Sequence, residues 1–447
     1  MFSRAPAQKL NYSCMKFPLV FICALILVLP ACEIDEQFDP NGPIVSSVRE
    51  NASETELNLL VTGIEAGMRS GYTSYVTASG TIARELYIFD ADPRNTSDLL
   101  GKGETVLDAN TFYLTGPFTS RYQVIKNVNI LLSALDNTDV VSEAEKQGYR
   151  GFANTIKAYM LSQILDMLGT NGVRVDVADP ENLGPYLNQE EGFTSILNLL
   201  DEANEQLGGS SFVFLLSDGF AGFNTPESFS QFNRAIAARV STHAGRYAEA
   251  LAYAEDSFLE LEGELSTGPQ HIFSTTPGDL LNPIYRPPGQ SGDQIIVHPR
   301  IIADTTAGDE RFSKFRLRDD PTGKDGLNGQ YESALYPTAT SPIDIIRNEE
   351  LVLIYAEANI NQGNLEEAVD ALNIIREAAG IGEYEGEVTE DALIDEMLYQ
   401  RQYSLWGEGH LMWDLRRYGR LNETYLPIDR EGDDIFTQFP IPLSENA

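Results

Sequence analysis

The sequence predicts a mainly α protein, an irregular stack of helical hairpins with loop-rich insertions and a few short strands. Three observations predict it. Apolar residues recur at helical spacing through several long segments, two short segments share one turn-forming pattern, and prolines concentrate where helices cannot run unbroken.

The helical segments carry one-sided apolar stripes. Val124, Val128, Leu131, Leu132 and Leu135 fall at i, i+4, i+7, i+8 and i+11, which is one face of a helix. Glu143–Leu168 places Tyr149, Phe152, Ile156, Tyr159 and Met160 on such a face and stops at Gly169, a residue suited to the left-handed turn that closes helices. Phe193, Ile196, Leu197, Leu200, Ala203 and Leu207 repeat the pattern up to Gly208-Gly209. Thr225-Pro226 opens a further helix: threonine caps it, and proline at the first helical position gives up only an N–H that would have had no partner. Phe229, Phe232, Ile236 and Val240 form its core side.

Gly245-Arg-Tyr247-Ala-Glu249-Ala250 and Gly363-Asn-Leu365-Glu-Glu367-Ala368 share a Gly-x-apolar-x-Glu-Ala pattern between helical stripes. Glycine permits a tight turn and alanine lets two helices approach, as in the hairpins of tetratricopeptide-type repeats. The two copies lie far apart, so the stack is irregular; a regular solenoid would keep a fixed period.

Residues 266–342 hold nine of the 22 prolines, among them Pro283, Pro287, Pro288, Pro299 and Pro337, and form a loop-rich insertion with one short strand expected at Gln294–Val297. A second non-helical stretch is expected over Tyr72–Tyr113, where Leu86-Tyr87-Ile88-Phe89 precedes the turn-forming Asp92-Pro93-Arg94-Asn95. Loops carried on a rigid scaffold are where binding usually resides.

The amino-terminal run Phe17–Leu29 has the length of a signal-peptide core and is too short to span a bilayer. Met15-Lys16 stands just ahead of it, which makes Met15 a candidate true start. Leu29-Pro30-Ala31-Cys32 resembles a bacterial lipobox, so residues 1–31 read as a signal peptide and Cys32 as the lipidated residue. Each buried methylene of the acyl chains contributes about 0.8 kcal/mol, enough for stable anchoring when several chains are attached. The acidic Glu33-Ile34-Asp35-Glu36 resembles the surface-export signal of Bacteroidetes lipoproteins. Residues 32–52 read as the lipidated cysteine and a flexible linker, and 53–447 as a single folded body.

Removing residues 1–31 takes away Arg4, Lys9 and Lys16 and no acid, leaving 28 basic against 67 acidic residues and a net charge of −39. Such a polyanion is repelled by nucleic acid and by anionic membrane surfaces. With Cys32 as the sole remaining cysteine, stability must come from packing and not from disulfides.

Motifs for catalysis and metal binding are missing. His243, His271, His298 and His410 have no second ligand at metal spacing, and Gly407-Glu408-Gly409-His410 lacks the paired histidines of a zinc helix. No nucleophile elbow or phosphate loop occurs. Asp320–Gly326 has the glycine of a calcium loop without its alternating acids. The expectation is a binding protein with no cofactor, no metal and no catalytic residues.

The carboxyl end is the most distinctive segment. Leu393–Gly419 contains Arg401-Gln-Tyr-Ser-Leu405-Trp406-Gly407-Glu408-Gly409-His410-Leu411-Met-Trp413-Asp414-Leu415-Arg416-Arg417, preceded by the hairpin Ile345–Gly380 and followed by Phe439-Pro440-Ile441-Pro442. In this it resembles the SusD/RagB family of outer-membrane nutrient-binding lipoproteins, with Leu411 where that family often has Arg. Asn127-Val128-Asn129-Ile130 and the Ala158–Gly169 helix extend the resemblance more weakly. Trp406 and Trp413, at helical spacing within the motif, read as core, and Asp414, Arg416 and Arg417 as buried ion pairs joining the last helices.

The resemblance implies a SusD-like fold on the cell exterior, lipid-anchored in the outer membrane. It also implies capture of an oligosaccharide or similar small nutrient for delivery to a SusC-like TonB-dependent transporter. Ligand contacts would then lie in the two loop-rich zones, which offer Tyr72, Tyr75, Tyr87, Phe89, Arg94 and Asn95, then Tyr285, Arg286, Tyr331 and Tyr336. Sugar rings need aromatic faces and fixed donors and acceptors, and these residues supply both kinds. Tryptophan is absent from both zones, which points to a shallow or small-ligand site. Two rival readings stay open: a helical scaffold that binds peptides, and a surface glycosidase with two convergent carboxylates.

Overall fold

The computed structural model describes residues 51–446; the expected signal segment, Cys32 and the linker up to residue 50 lie outside the described residues. Ser53 starts the first helix with a capping box, accepting from the Glu56 N–H while the Glu56 carboxylate accepts from the Ser53 N–H. That helix, α1 (Glu54–Gly67), leads to α2 (Tyr72–Ile82), β1 (Leu86–Phe89), α3 (Phe112–Asp136) and α4 (Glu143–Leu168). The pair β2 (Val173–Arg174) and β3 (Tyr186–Leu187) precedes α5 (Gln189–Leu207), α6 (Pro226–His243) and α7 (Tyr247–Glu255). The insertion then holds β4 (Gln270–His271), β5 (Gln294–Val297), α8 (Pro299–Ala303), β6 (Phe315–Lys324), β7 (Leu327–Ser333) and β8 (Ile343–Asp344). Four helices close the chain: α9 (Asn348–Gln362), α10 (Leu365–Ala378), α11 (Glu390–Ser404) and α12 (Leu411–Arg417).

The helices stack in sequence as the stripes predict: α1 on α3, α3 on α4, α4 on α5, α5 on α6, α6 on α7, α7 on α9, and α9 on α10 and α11. Phe229, Phe232, Ile236 and Val240 are all buried on α6, and Thr225 caps it with Pro226 behind. The shared Gly-x-apolar-x-Glu-Ala segments form the α6–α7 and α9–α10 turns, with Gly245 at φ 70° and Gly363 at φ 80°. A side chain at either glycine would meet nothing within 4 Å, so the backbone angle alone calls for glycine there. Elsewhere closeness decides: a Cβ at Gly151 of α4 would sit 2.6 Å from Leu207 of α5.

Two expectations need correction. Tyr72–Ile82, expected to be non-helical, is helix α2. Nine of its eleven residues are buried, so it has no polar stripe for periodicity to reveal. Its buried hydroxyls are satisfied locally, Ser79 donating to the Tyr75 carbonyl at 2.7 Å and Thr81 to the Thr77 carbonyl at 2.8 Å. The proline-rich insertion also contains more strand than the single segment expected. β5 lies at Gln294–Val297 as predicted, but the β6–β7 hairpin joins it in a four-stranded antiparallel sheet of order β1-β5-β7-β6. That sheet stitches the two loop-rich zones together.

β1 is buried on both faces. Leu86 and Ile88 enter the main core, while Tyr87 and Phe89 join Leu100, Ile296 and Leu327 in a small separate cluster. At the carboxyl end Trp406 and Trp413 are core residues, as predicted. Asp414 accepts from Arg401 Nε at 2.8 Å and Arg417 Nη2 at 2.7 Å, and Arg417 also pairs with Glu357, which ties α12 to α11 and α9. Arg416 departs from expectation: it donates to the Asp166 carbonyl at 2.8 Å and has no carboxylate partner among the described residues. No helix of the described residues is long and apolar enough to cross a membrane.

Candidate functional site

β1 pairs with β5 so that Phe89 stands opposite Gln294, which makes the turn after β1 and the loop before β5 leave the sheet at one end. Asp92 fixes that turn: it accepts from the Arg94 N–H at 3.0 Å and, on its two oxygens, from Arg94 Nε at 2.9 Å and Nη2 at 2.5 Å. The Arg94 guanidinium holds the Asp92 carboxyl below the usual carboxylate range. Asn95 donates to Asp90 Oδ2 at 2.9 Å, and Lys324, from the end of β6, donates to the Asp90 carbonyl. Thr322 donates to Gln294 Oε1 at 2.9 Å. From β7, Glu332 accepts from the Gly289 N–H at 2.9 Å, from Arg316 at 3.1 Å and from Arg318. Arg286 Nε lies 2.9 Å from Asp293. The end of the sheet is therefore a rim of polar groups held in place by one another.

Aromatic surface at this rim comes from a residue that the sequence reading missed. Phe112, at the start of α3, is 37% exposed, and the Arg94 guanidinium lies 5.0 Å from its ring centre. Tyr425 is the other well-exposed aromatic among the described residues, 55% exposed and backed by Arg420 at 5.3 Å. Neither position carries a periodicity or motif signal. Exposure depends on how loops pack, and single residues in loops do not announce it.

The predicted ligand residues divide into two groups. Arg94 is exposed, and Tyr285, Arg286 and Tyr331 are half-buried on the insertion, with Tyr331 edge-on to Phe312 at 5.4 Å. Asn95 is buried but helps to build the rim. By contrast, Tyr72, Tyr75, Tyr87 and Phe89 are buried, so the expectation of exposed aromatic faces at these four positions is corrected. Tyr87 and Phe89 stack on each other with ring centres 5.6 Å apart, filling the small cluster beneath the β6–β7 hairpin. Tyr72 packs against His271 at 5.9 Å, and Tyr75 lies under the Arg121 guanidinium at 4.7 Å. Tyr336 is half-buried, and burial together with the nearby Glu408 and Asp344 carboxylates pushes its hydroxyl well above the usual range.

Tyr72 and Tyr75 line an inner polar cavity of about 20 Å³ with Tyr159, Asp166, His243 and His410. That space holds about one water molecule. Burial lowers His410 to about 4 and His271 to about 3, so both imidazoles are neutral at ordinary pH. His243 bonds Asp166 and His298 bonds Asp429, each at 2.9 Å. Among the described residues no group of three or more His, Cys, Asp or Glu side chains is placed to hold a metal ion. The rim's chemistry is that of hydrogen bonding and ring contact.

The model of the SusD family matches residues 324–444, which span β7, β8, all four closing helices and the Phe439–Pro442 segment. Around that segment the whole fold has solved counterparts. A SusD superfamily protein from Bacteroides vulgatus superposes with a TM-score of 0.66 at 16% identity, over 88% of this chain and 96% of the other. The chain carries the SusD fold and, at its carboxyl end, a segment that matches the SusD family's model. Surface glycan-binding protein A from Bacteroides thetaiotaomicron shares this SusD fold with a TM-score of 0.68 at 16% identity, over 88% of this chain and 96% of that one. The structure of the same protein in complex with laminarihexaose gives 0.66 at 14% identity, over 88% and 97%. Comparison with curated proteins returns no match. The two buried tryptophans and the Arg401–Asp414–Arg417 network lie within the matched segment.

Proposed function

We propose that this SusD-type protein binds a glycan at the cell surface and makes or breaks no bond. The observation that carries the reading is the sheet rim: the two zones expected to hold ligand contacts are paired strand to strand, and their polar groups are immobilised before any ligand arrives. A preorganised rim loses little side-chain entropy on binding, which matters for a hydroxyl-rich ligand whose hydrogen bonds replace those to water. The same-fold glycan-binding protein with laminarihexaose supports a sugar ligand over a peptide. Arg94 and Arg286 offer donors, and Phe112, Tyr285 and Tyr331 offer ring edges and faces. In the same reading Cys32 carries the lipid that holds the protein on the outer membrane, and the bound glycan passes to a SusC-like TonB-dependent barrel.

Calorimetric titration of the purified protein with laminarihexaose and a panel of other oligosaccharides tests the site. Arg94→Ala, Phe112→Ala and Tyr285→Ala are each expected to weaken the best ligand by about tenfold, or about 1.4 kcal/mol. Unchanged affinity in all three would reject the rim. Cys32→Ala is expected to move the protein from the membrane fraction to the soluble fraction; retention on the membrane would reject the anchor.

A further inference from the structure

A second cleft, of about 420 Å³, opens on the helical body where the first turn of α5, the α6–α7 turn and the end of α12 meet. It is lined by Gln189, Glu190, His243, Tyr247, Arg416 and Arg417 among others and shares no residue with the sheet rim. Its size is that of a small-ligand pocket.

Two features mark it as a binding site. Arg416 is held in place, yet no carboxylate lies within ion-pair distance of it among the described residues. Its Nη1 donates to the Asp166 carbonyl at 2.8 Å and its guanidinium packs on Trp413 at 5.2 Å, while Nε and Nη2 make no hydrogen bond among the described residues. Two lining residues also carry buried polar atoms without partners, His243 Nε2 and Arg417 Nε, on side chains that are 4% and 10% exposed. Arg417 has spent its terminal nitrogens on Glu357 and Asp414. His243 has committed Nδ1 to Asp166 at 2.9 Å; Asp166 lines the inner cavity and not the cleft. The two ring nitrogens point in diverging directions, so Nε2 is turned away from Asp166.

We propose that this cleft binds a saccharide bearing a carboxylate, a uronic-acid unit, with the carboxylate on Arg416 and ring hydroxyls on Gln189 and Tyr247. Guanidinium and carboxylate match as a charge-assisted pair. Glu190, exposed on the first turn of α5, is the one acid lining the cleft and works against an anionic ligand. The site is independent of the sheet rim.

The test is titration of D-glucuronic acid into the purified protein, with D-glucose as the neutral control. Glucuronate is expected to saturate the protein and glucose to bind at least tenfold more weakly. Arg416→Gln is expected to weaken glucuronate at least tenfold. Since Arg416 also ties α12 to α4, Glu190→Gln provides a variant that leaves the fold untouched; it is expected to tighten glucuronate about threefold and leave glucose unchanged. Equal affinity for the two sugars, no saturation by glucuronate, displacement by equimolar acetate, or no tightening in Glu190→Gln would each overturn the proposal.

Discussion

Arg239 of α6 and Glu350 of α9 meet inside the core as a two-pronged pair, Nε to Oε1 at 2.6 Å and Nη2 to Oε2 at 2.5 Å. Their side chains are 8% and 2% exposed, and Arg239 Nη2 also donates to the Ile345 carbonyl at 2.8 Å. The pair therefore fixes the seam between the α6–α7 and α9–α10 hairpins. Desolvating two such charges costs about as much as their attraction returns, so the intact pair adds geometry more than stability, whereas removing one partner strands the other. Glu350→Ala and Arg239→Ala are each expected to cost about 3–5 kcal/mol in urea unfolding. Replacing both with apolar residues of similar volume is expected to recover most of the loss. Equal losses in the single and double variants would contradict this account.

Two buried glutamates set opposing pH dependences. Burial would raise Glu350, but Arg239 beside it, with His410 and Arg401 further off, holds it down to about 2 from an ordinary 4.5. Its contribution to stability is present above 4.5 and is lost as pH falls through 2. Glu85 is the reverse case. Burial raises it to about 7, only partly offset by the Gly407 N–H it accepts from at 2.9 Å. A carboxyl that prefers its proton when folded contributes fully below 4.5 and loses that contribution as pH climbs through 7, a change of up to about 3 kcal/mol. Thermal unfolding from pH 4 to 8 is expected to show the midpoint declining toward the alkaline side, and Glu85→Gln is expected to flatten that decline. A Glu85→Gln curve parallel to the parent would show that Glu85 ionises normally.

What the sequence made legible follows from what each signal measures. Amphipathic stripes and caps mark helices with one wet face, and so α4, α5 and α6 were readable, down to Thr225 and Pro226 at the start of α6. α2 is wet on no side, and its Ser and Thr hydroxyls bond back to its own carbonyls, so it resembles a polar loop in sequence. β6 contains Pro321 and a register shift between Leu317 and Thr322, which hides its alternation. The rim was legible as two zones but not as side chains. Tyr87 and Phe89 have the composition of a sugar platform, yet a hairpin from more than 200 residues later covers them, a long-range contact that local pattern cannot report.

Turn glycines separate backbone strain from crowding. Gly245 and Gly363 adopt φ of 70° and 80° with open space around the missing side chain, so alanine at either is expected to cost only the left-handed penalty, about 1 kcal/mol. Neither missing side chain would touch anything, so the double variant is expected to lose the sum. Gly172 has the same φ of 80°, but its Cβ would lie 1.9 Å from the Leu187 carbonyl on β3, so the β2–β3 pair must open. Gly172→Ala is therefore expected to cost clearly more than either. Similar unfolding midpoints for all three single variants would remove crowding as the cause.

Glu332 links the rim to the fold. It is 6% exposed and accepts at once from the Gly289 N–H, Arg316 and Arg318, so one carboxylate anchors the loop before β5 to the β6–β7 hairpin. It touches the candidate ligand surface only through those partners and is a positioning residue. Glu332→Ala is expected to cost about 2 kcal/mol in stability, the value of a buried acceptor serving charged donors. The same change is expected to free Arg286 and Gly289 to move and to weaken oligosaccharide binding about tenfold. Glu332→Gln keeps the shape and one acceptor oxygen, so it should restore most of the stability but only part of the affinity, because Arg316 and Arg318 would then compete for a single neutral oxygen. Hydrogen exchange over residues 286–293 distinguishes the mechanism: faster exchange accompanying the affinity loss supports positioning, whereas affinity lost with unchanged exchange would mean that Glu332 contacts the ligand itself.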